Sequence, residues 1–280
     1  MLKIDAHQHF WNYDPVRYNW IDEDMSVIRR DFLPEHLKPV LEANNISGCV
    51  AVQSDQTEAE NDFLLKLSDN NDFIKGIVGW VDLRAENIEE RLQYYRGFEK
   101  IKGFRYVLQG ETDRALMLKP GFMNGVKALG KYGYTYDLLI LPDQLVYTSY
   151  FLNAFPDQEF VIDHLAKPPV RDKEIDSWAK DIREVAKHKN VSCKISGMVT
   201  EADLKNWKKT DFTKYMDVIV EAFGPDRIMF GSDWPVCLAA ASYGDVLEIV
   251  SDYFSSYSEH EQQLFFGGNV IRFYKLVIKD

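Results

Sequence analysis

The segment "LKIDAHQHF" (residues 2–10) is the first of eight short runs rich in apolar and β-branched residues. The other seven are "ISGCVAVQ" (46–53), "FIKGIVGWVDL" (73–83), "IKGFRYVL" (101–108), "YTYDLLIL" (134–141), "EFVIDHLA" (159–166), "VSCKISG" (191–197) and "RIMFGSDW" (227–234). Between them lie segments such as "DSWAKDIREVAKHKN" (176–190), whose apolar residues recur every three or four positions, as in an amphipathic helix. Strands that alternate with helices predict parallel βαβ units, and eight units in a chain of this length favour a (β/α)8 TIM barrel.

An open, doubly wound α/β sheet is the main alternative fold. It would usually carry a glycine-rich phosphate turn after its first strand, and neither GxGxxG nor GxxxxGK[ST] occurs here. No linker, low-complexity tract or internal repeat divides the chain, so residues 1–280 are predicted to form one barrel domain.

The connection after the first strand, "FWNYDPVRYNWIDEDMSVIRRDFLP" (10–34), is unusually long. Loops from strand to helix in α/β units usually run to about 2–6 residues. Two interpretations stay open: a lid over the carboxyl-terminal face of the barrel, or a loop that packs its own aromatic residues into a hydrophobic seam.

Composition narrows the class of protein. A formal net charge of −11 argues against a nucleic-acid or anionic-membrane partner, because long-range attraction would have the wrong sign. The three cysteines form no CxxC pair, so neither a disulfide framework nor a zinc ribbon is indicated. The first residues lack the apolar core of a signal peptide, and no apolar run of about 18 residues occurs. These features predict a cytoplasmic protein without a membrane partner.

Histidine and aspartate residues stand at predicted strand ends. Side chains alternate along a strand, so His7 and His9 point to the same side of the first strand. His164 ends the sixth strand in "VIDHLAKP", and Asp233 ends the eighth in "MFGSDWPV". Imidazole nitrogens and a carboxylate suit zinc or a neighbouring divalent metal. Asp233 could also be a general base for water, while the structural alternatives are a core histidine at 164 and a helix cap at 233.

The motifs "DAHQHFW", "KGFRYVLQ", "VIDHLAKP" and "MFGSDWPV" together resemble those of the amidohydrolase superfamily, in particular its branch of sugar-lactone hydrolases (amidohydrolase family 2). The resemblance extends over nearly the whole chain, including "GWVDL" (79–83) and "GGNVIRFYKL" (267–276). The first-strand HxH is shared by the wider superfamily, whereas the combination is specific to this branch. The resemblance implies a TIM barrel that opens a sugar-derived lactone, such as L-fuconolactone, to the hydroxy acid.

The resemblance also implies roles for individual residues. His7, His9, His164 and Asp233 match the family's metal-site positions, and Arg105 matches a fourth-strand arginine that contacts substrate. Tyr106 follows it where many relatives carry histidine, which bears on substrate choice.

The side chains of the fourth and fifth strands bear on how many metal ions the site would hold. Binuclear members of the superfamily carry a carboxylated lysine or a glutamate on the fourth strand and a histidine on the fifth. Here these strands offer Arg105 and Asp137, and a cationic arginine would repel a second ion. We therefore expect one divalent ion, with zinc the foremost candidate, or none.

The expected chemistry is attack by an activated water on the lactone carbonyl. Asp233 would take the proton from water, and His164 with the first-strand histidines would stabilise the oxyanion, through an ion or as hydrogen-bond donors. Arg105 would hold a substrate oxygen by its planar fork. Gln53 and Trp234 are further candidate sugar contacts, with a helix cap and a core residue as their structural alternatives; Lys194 and Ser196 are weaker candidates.

Other functions stay open at this point. A covalent serine mechanism has no support, because GxSxG is absent. A metal-dependent decarboxylase or an amide hydrolase of the same superfamily is the alternative reaction, and Arg105 would suit an acidic decarboxylase substrate. A barrel that only binds a ligand would have no need of a base beside three imidazoles.

Overall fold

Eight parallel strands form the sheet in the computed structural model, which describes residues 2–278. The strands are β1 (Ile4–Gln8), β2 (Gly48–Val52), β3 (Ile74–Gly79), β4 (Ile101–Tyr106), β5 (Thr135–Leu138), β6 (Phe160–Ile162), β7 (Val191–Ile195) and β8 (Ile228–Phe230). Each pairs with the next along the chain, and a parallel bridge between Gln8 and Trp234 joins the end of the sheet to its beginning. The predicted (β/α)8 barrel is confirmed.

Helices connect the strands on the outside of the barrel. They are α1 (Pro34–Ala43), α2 (Glu58–Asp69), α3 (Ile88–Tyr95), α4 (Pro120–Tyr132), α5 (Leu145–Asn153), α6 (Asp176–Ala186), α7 (Lys209–Phe223), α8 (Tyr243–Phe254), α9 (Glu259–Gln263) and α10 (Asn269–Phe273). In α6, for example, the buried residues include Trp178, Ile182 and Val185, at the spacing of one helix face. A strand that is covered by other parts of the protein on both faces has a nearly continuous run of apolar residues. This is why the eight strands could be recognised in the sequence.

The carboxyl-terminal segment closes the amino-terminal end of the barrel. At the pair Gly267–Gly268 the backbone widens into a π-helical turn (Leu264–Gly268) between α9 and α10. A Cβ on Gly267 would lie 2.3 Å from the carbonyl oxygen of Leu2, so the close approach needs glycine. The hydroxyl of Tyr274 then reaches into the barrel and donates to Asp137 Oδ2 at 2.7 Å.

The long connection after β1 packs most of its aromatic side chains into the protein. Trp11, Tyr18 and Phe32 are buried, and backbone hydrogen bonds pair residue 11 with residue 32 in both directions. The Phe32 ring lies 5.2 Å from that of Trp234, centroid to centroid, while Trp20 is 43% exposed. The hydrophobic-seam interpretation therefore describes this segment.

Two features of composition have structural counterparts. The three cysteines are buried and free, in agreement with the absence of a predicted disulfide framework. Between residues 2 and 278, no helix has both the length and the apolar character required to cross a membrane.

A buried carboxylate links the long connection to the start of α2. Glu60 Oε1 accepts hydrogen bonds from the backbone N–H and the hydroxyl of Ser54, at 3.0 and 2.9 Å. The hydroxyl of Tyr18 lies 3.5 Å from the same Ser54 Oγ. Burial raises the pKa of Glu60 from its ordinary value of 4.5 to about 7.

We expect the Glu60→Gln variant to lose less stability than the wild-type protein when the pH is raised from 5 to 8. The folded-state pKa lies above the unfolded one, so this group's contribution is complete at low pH and is lost as the pH rises through about 7. Glutamine keeps an acceptor for Ser54 and does not titrate. Melting temperatures at the two pH values test this, with exposed Glu86→Gln as the control; an equal pH response in wild type and Glu60→Gln would contradict it.

Candidate active site

The carboxyl-terminal ends of β1, β6 and β8 bring the predicted histidines and aspartate together. The Nε2 atoms of His7 and His9 lie 3.2 Å apart, and Asp233 Oδ1 lies 3.4 Å from Nε2 of His9. The same carboxylate oxygen lies 3.9 Å from Nε2 of both His7 and His164. All four side chains are at least 94% buried, so the cluster is almost completely shielded from solvent.

Left-handed backbone aims two of these side chains into the barrel. The four residues from His164 to Lys167 have φ between 51° and 57°, and Asp233 has φ of 58°. This conformation costs an L-amino acid about 1–2 kcal/mol per residue, so surrounding contacts must hold it. Among those contacts, the Trp178 indole N–H donates to the Leu165 carbonyl at 2.8 Å, and the backbone N–H of Asp233 donates to the His7 carbonyl at 2.8 Å.

Hydrogen bonds on the far side of two rings orient their Nε2 atoms. The Nδ1–H of His9 donates to the Val52 carbonyl at 2.8 Å, which leaves Nε2 of a neutral ring with a lone pair. Nδ1 of His164 lies 2.9 Å from the Ser196 hydroxyl, which can accept its hydrogen. Such partners behind a ring fix the tautomer that a metal ligand needs.

The spacing of the donor atoms fits a shared divalent ion. Tetrahedral bonds to nitrogen and oxygen of about 2.0–2.2 Å place neighbouring ligand atoms about 3.3–3.6 Å apart. The distances of 3.2, 3.4 and 3.9 Å among the donor atoms bracket that range. One atom each from His7, His164 and Asp233 lie within 4.8 Å of one another, with His9 beside them. The donor set and its geometry therefore suit one divalent metal ion.

Arg105 lies beside this cluster and is held by the protein on two sides. Its Nη1 donates to Asp163 Oδ2 at 3.0 Å and lies 3.3 Å from Nε2 of His7. Its Nη2 donates to the carbonyl and the side-chain oxygen of Gln53, at 2.6 and 3.0 Å. Gln53 is fully buried, so in this structure its amide positions the guanidinium.

Trp234 packs on the core side of the site. The residue is 98% buried, and its ring makes edge contacts with Phe10 and Phe32, at centroid distances of 6.2 and 5.2 Å. A direct sugar contact stays a prediction for both Trp234 and Gln53.

A buried charge cluster behind His7 was largely missed by the sequence analysis. Lys194 Nζ lies 2.6 Å from Asp137 Oδ2, 2.9 Å from Asp163 Oδ1 and 3.2 Å from Nδ1 of His7, and all four side chains are fully buried. Lys194 was only a weak candidate, and Asp163 was not singled out. Strand alternation places Asp163 and His164 on opposite faces, whereas the left-handed turn brings both inward.

Electrostatics favour neutral imidazoles beside an ionised carboxylate. Burial lowers the pKa of His164 to about 4 and holds that of His7 well below its usual range. Burial alone would raise the pKa of Asp233, but the neighbouring imidazoles, His164 foremost, hold it well below its usual range. The pKa of Asp163 is likewise low despite burial, chiefly because of Lys194. At neutral pH, His7, His164 and Asp233 therefore have the charge states that metal binding requires.

The fold and this site define a class of protein. The amidohydrolase family model matches residues 4–276, so the chain belongs to the amidohydrolase family. The chain is 39% identical to an L-fucono-1,5-lactonase of Burkholderia multivorans over 286 residues, covering 98% of this chain and 96% of that protein. It is 32% identical to an L-fucono-1,5-lactonase of Burkholderia ambifaria, over 98% of this chain and 96% of that one.

A solved structure gives the same result for the fold. An amidohydrolase from Burkholderia multivorans with bound zinc superimposes with a TM-score of 0.95 at 39% identity, covering 99% of this chain and 100% of that one. The expected membership of the amidohydrolases, and a hydrolase activity, are confirmed.

We expect Gly197→Ala to weaken divalent-metal binding. Gly197 has φ of 63°, and a Cβ there would lie 2.6 Å from Nδ1 and 2.8 Å from Cγ of His164, so the ring must move. Gly133→Ala is the matched control, since its φ of 78° imposes the same backbone strain in open space. Titration calorimetry with zinc should show that Gly197→Ala binds the ion more weakly than wild type, by roughly tenfold or more, which is the usual effect of disturbing the neighbours of a metal ligand. Gly133→Ala should bind zinc as wild type does. Equal affinities in the two variants would refute the argument.

Proposed function

We propose that this protein hydrolyses a sugar-derived lactone to its hydroxy acid, with L-fucono-1,5-lactone as the first candidate substrate. The observation that carries the proposal is the identity of 39% and 32% to two L-fucono-1,5-lactonases over nearly the whole chain. The site supports it, because an ionised carboxylate stands among three imidazoles, with an arginine beside them.

We further propose that the resident ion is a single zinc ion held by His7, His9, His164 and Asp233. Nitrogen and carboxylate donors suit zinc, and the related Burkholderia multivorans structure has zinc bound. Bound zinc would polarise the carbonyl oxygen and lower the pKa of a water molecule.

Asp233 is the proposed base. Its ionised carboxylate accepts a proton from the attacking water, whose oxygen forms the new bond to the lactone carbonyl carbon. When the bond from that carbon to the ring oxygen breaks, protonated Asp233 returns the proton to the departing oxygen. One water molecule thus supplies the OH that is added to the carbonyl carbon and the hydrogen of the new hydroxyl group in the product. His164 stands 3.9 Å from this carboxylate and would help to hold the zinc ion through its Nε2 lone pair.

Arg105 is the proposed contact for a substrate oxygen. Its Nη1 lies 3.3 Å from Nε2 of His7, so an oxygen drawn to the cluster comes within reach of an N–H donor. Gln53 acts on substrate by fixing the guanidinium, and Trp234 supports the segment that carries Asp233.

Acid release from a panel of aldonolactones, followed with a pH indicator, tests the function. We expect L-fucono-1,5-lactone to be opened fastest, and chelation followed by added zinc to remove and restore the rate. No acid from any lactone would overturn the lactonase proposal, and release of CO2 from an aromatic acid would favour the decarboxylase alternative. An unchanged rate in protein shown by elemental analysis to be metal-free would overturn the role of zinc.

Asp233→Asn tests the base. An amide cannot accept the proton from water, so we expect the turnover number to fall by a factor of about 10²–10⁴. Asp69→Asn, which changes an exposed carboxylate at the end of α2, should hydrolyse lactone at the wild-type rate. Melting curves of both variants check the fold, and wild-type turnover in folded Asp233→Asn would refute the assignment.

A further inference from the structure

Two side chains with opposite requirements face Nδ1 of His7. Lys194 Nζ lies 3.2 Å from this nitrogen, and Asp163 Oδ1 lies 3.3 Å from it. An ammonium group can only donate a hydrogen bond, and a carboxylate can only accept one. A neutral imidazole carries one hydrogen, so Lys194 favours the tautomer with hydrogen on Nε2, whereas Asp163 favours hydrogen on Nδ1.

The other nitrogen of the ring determines which tautomer fits a site without an ion. Nε2 of His7 lies 3.2 Å from Nε2 of His9, whose own hydrogen is used in the bond to the Val52 carbonyl. Two lone pairs at that distance repel, so the contact is favourable when His7 donates through Nε2–H. Its Nδ1 then accepts from Lys194, which gives a directed chain from Lys194 through both rings to Val52.

Arg105 is the remaining donor at this nitrogen. Its Nη1 lies 3.3 Å from Nε2 of His7 but closer, at 3.0 Å, to Asp163 Oδ2, which it already binds. Nη1 carries two hydrogens, so one can bind Asp163 while the other faces His7 and favours a lone pair on Nε2. The contacts that favour hydrogen on Nε2, from Lys194 to Nδ1 and from His9 to Nε2, measure 3.2 Å each. The opposing contacts, from Asp163 and Arg105, are longer, at 3.3 Å each.

A divalent ion requires the other tautomer. His7 and His9 must then both present an Nε2 lone pair, and the single hydrogen of His7 lies on Nδ1, facing Asp163. The His7 ring is neutral both without and with the ion. When the ion binds, Nε2 loses one hydrogen and Nδ1 gains one, so no net proton is taken up.

We propose that Lys194 is a positioning residue that stabilises the Nε2–H tautomer of His7 and thereby limits the affinity of the site for a divalent ion. This inference rests on the proposed role of His7 as a metal ligand. Lys194 is fully buried, and its ammonium group contacts the His7 ring, two aspartates and the ring of Tyr274.

The double variant Lys194→Met/Asp137→Asn separates this role from simple repulsion. It removes the donor to His7 together with one buried carboxylate, so the net charge of the cluster is unchanged and Asp163 keeps its bond to Arg105. Asp137→Asn alone is the matched control, because it retains Lys194 next to His7.

NMR of ¹⁵N-histidine-labelled protein reports which ring nitrogen carries hydrogen, and loss of a signal in His7→Asn assigns it. In metal-free wild type we expect the His7 hydrogen on Nε2, and in zinc-loaded protein on Nδ1. The double variant should carry it on Nδ1 in both states and bind zinc about tenfold more tightly, by competition with a chromophoric chelator. Asp137→Asn should keep the wild-type tautomer.

Two results would overturn the inference: hydrogen on Nδ1 of His7 in metal-free wild type, or unchanged zinc affinity in a folded double variant. If the double variant does not fold, the comparison of metal-free and zinc-loaded wild type decides alone. No lactone is used, so the outcome is independent of the hydrolysis assays that test the proposed function.

Discussion

The ion pairs of Asp163 with Arg105 and Lys194 are the constraint on which the site depends. Moving charged groups into a protein interior costs several kcal/mol for each ion, and only close opposite charges and hydrogen bonds offset that cost. Asp163 meets this condition, with Arg105 Nη1 at 3.0 Å and Lys194 Nζ at 2.9 Å. Removing Asp163 would leave the buried guanidinium of Arg105 without its ion-pair partner. The cluster therefore fixes how strands β4, β6 and β7 approach each other around His7.

Charge balance connects this cluster to the metal site. The buried groups that contact the imidazole rings or one another at the site include three carboxylates, on Asp137, Asp163 and Asp233, and two protein cations, on Arg105 and Lys194. Their charges sum to −1, next to three imidazoles, and a single divalent ion would bring the sum to +1. A second ion would add two positive charges beside a guanidinium and an ammonium group, in a medium that screens them poorly. The same residues thus explain why the site suits one ion.

Backbone conformation supplies the remaining geometry. His164 and Asp233 both have positive φ, and neither is glycine, so each is held against its own preference by the packing around it. The buried aromatic residues of the long connection after β1 help to do this, because Phe32 packs on Trp234 next to Asp233. A segment that could have been a lid is in this structure part of the support behind the site.

The sequence by itself determined the barrel, the order of its strands, and the set of His7, His9, His164 and Asp233 at strand ends. These are consequences of one-dimensional patterns: the periods of strand and helix, and the rule that parallel strands end on one face. Only the tertiary structure decided that Asp163 faces inward, that Lys194 lies between it and Asp137, and that Gln53 holds Arg105. Asp163 and Lys194 are 31 positions apart in sequence, and a left-handed turn breaks the alternation that would have located Asp163. Periodicity places a residue on a face of its own element, whereas contacts between elements and non-standard backbone angles are set by three-dimensional packing.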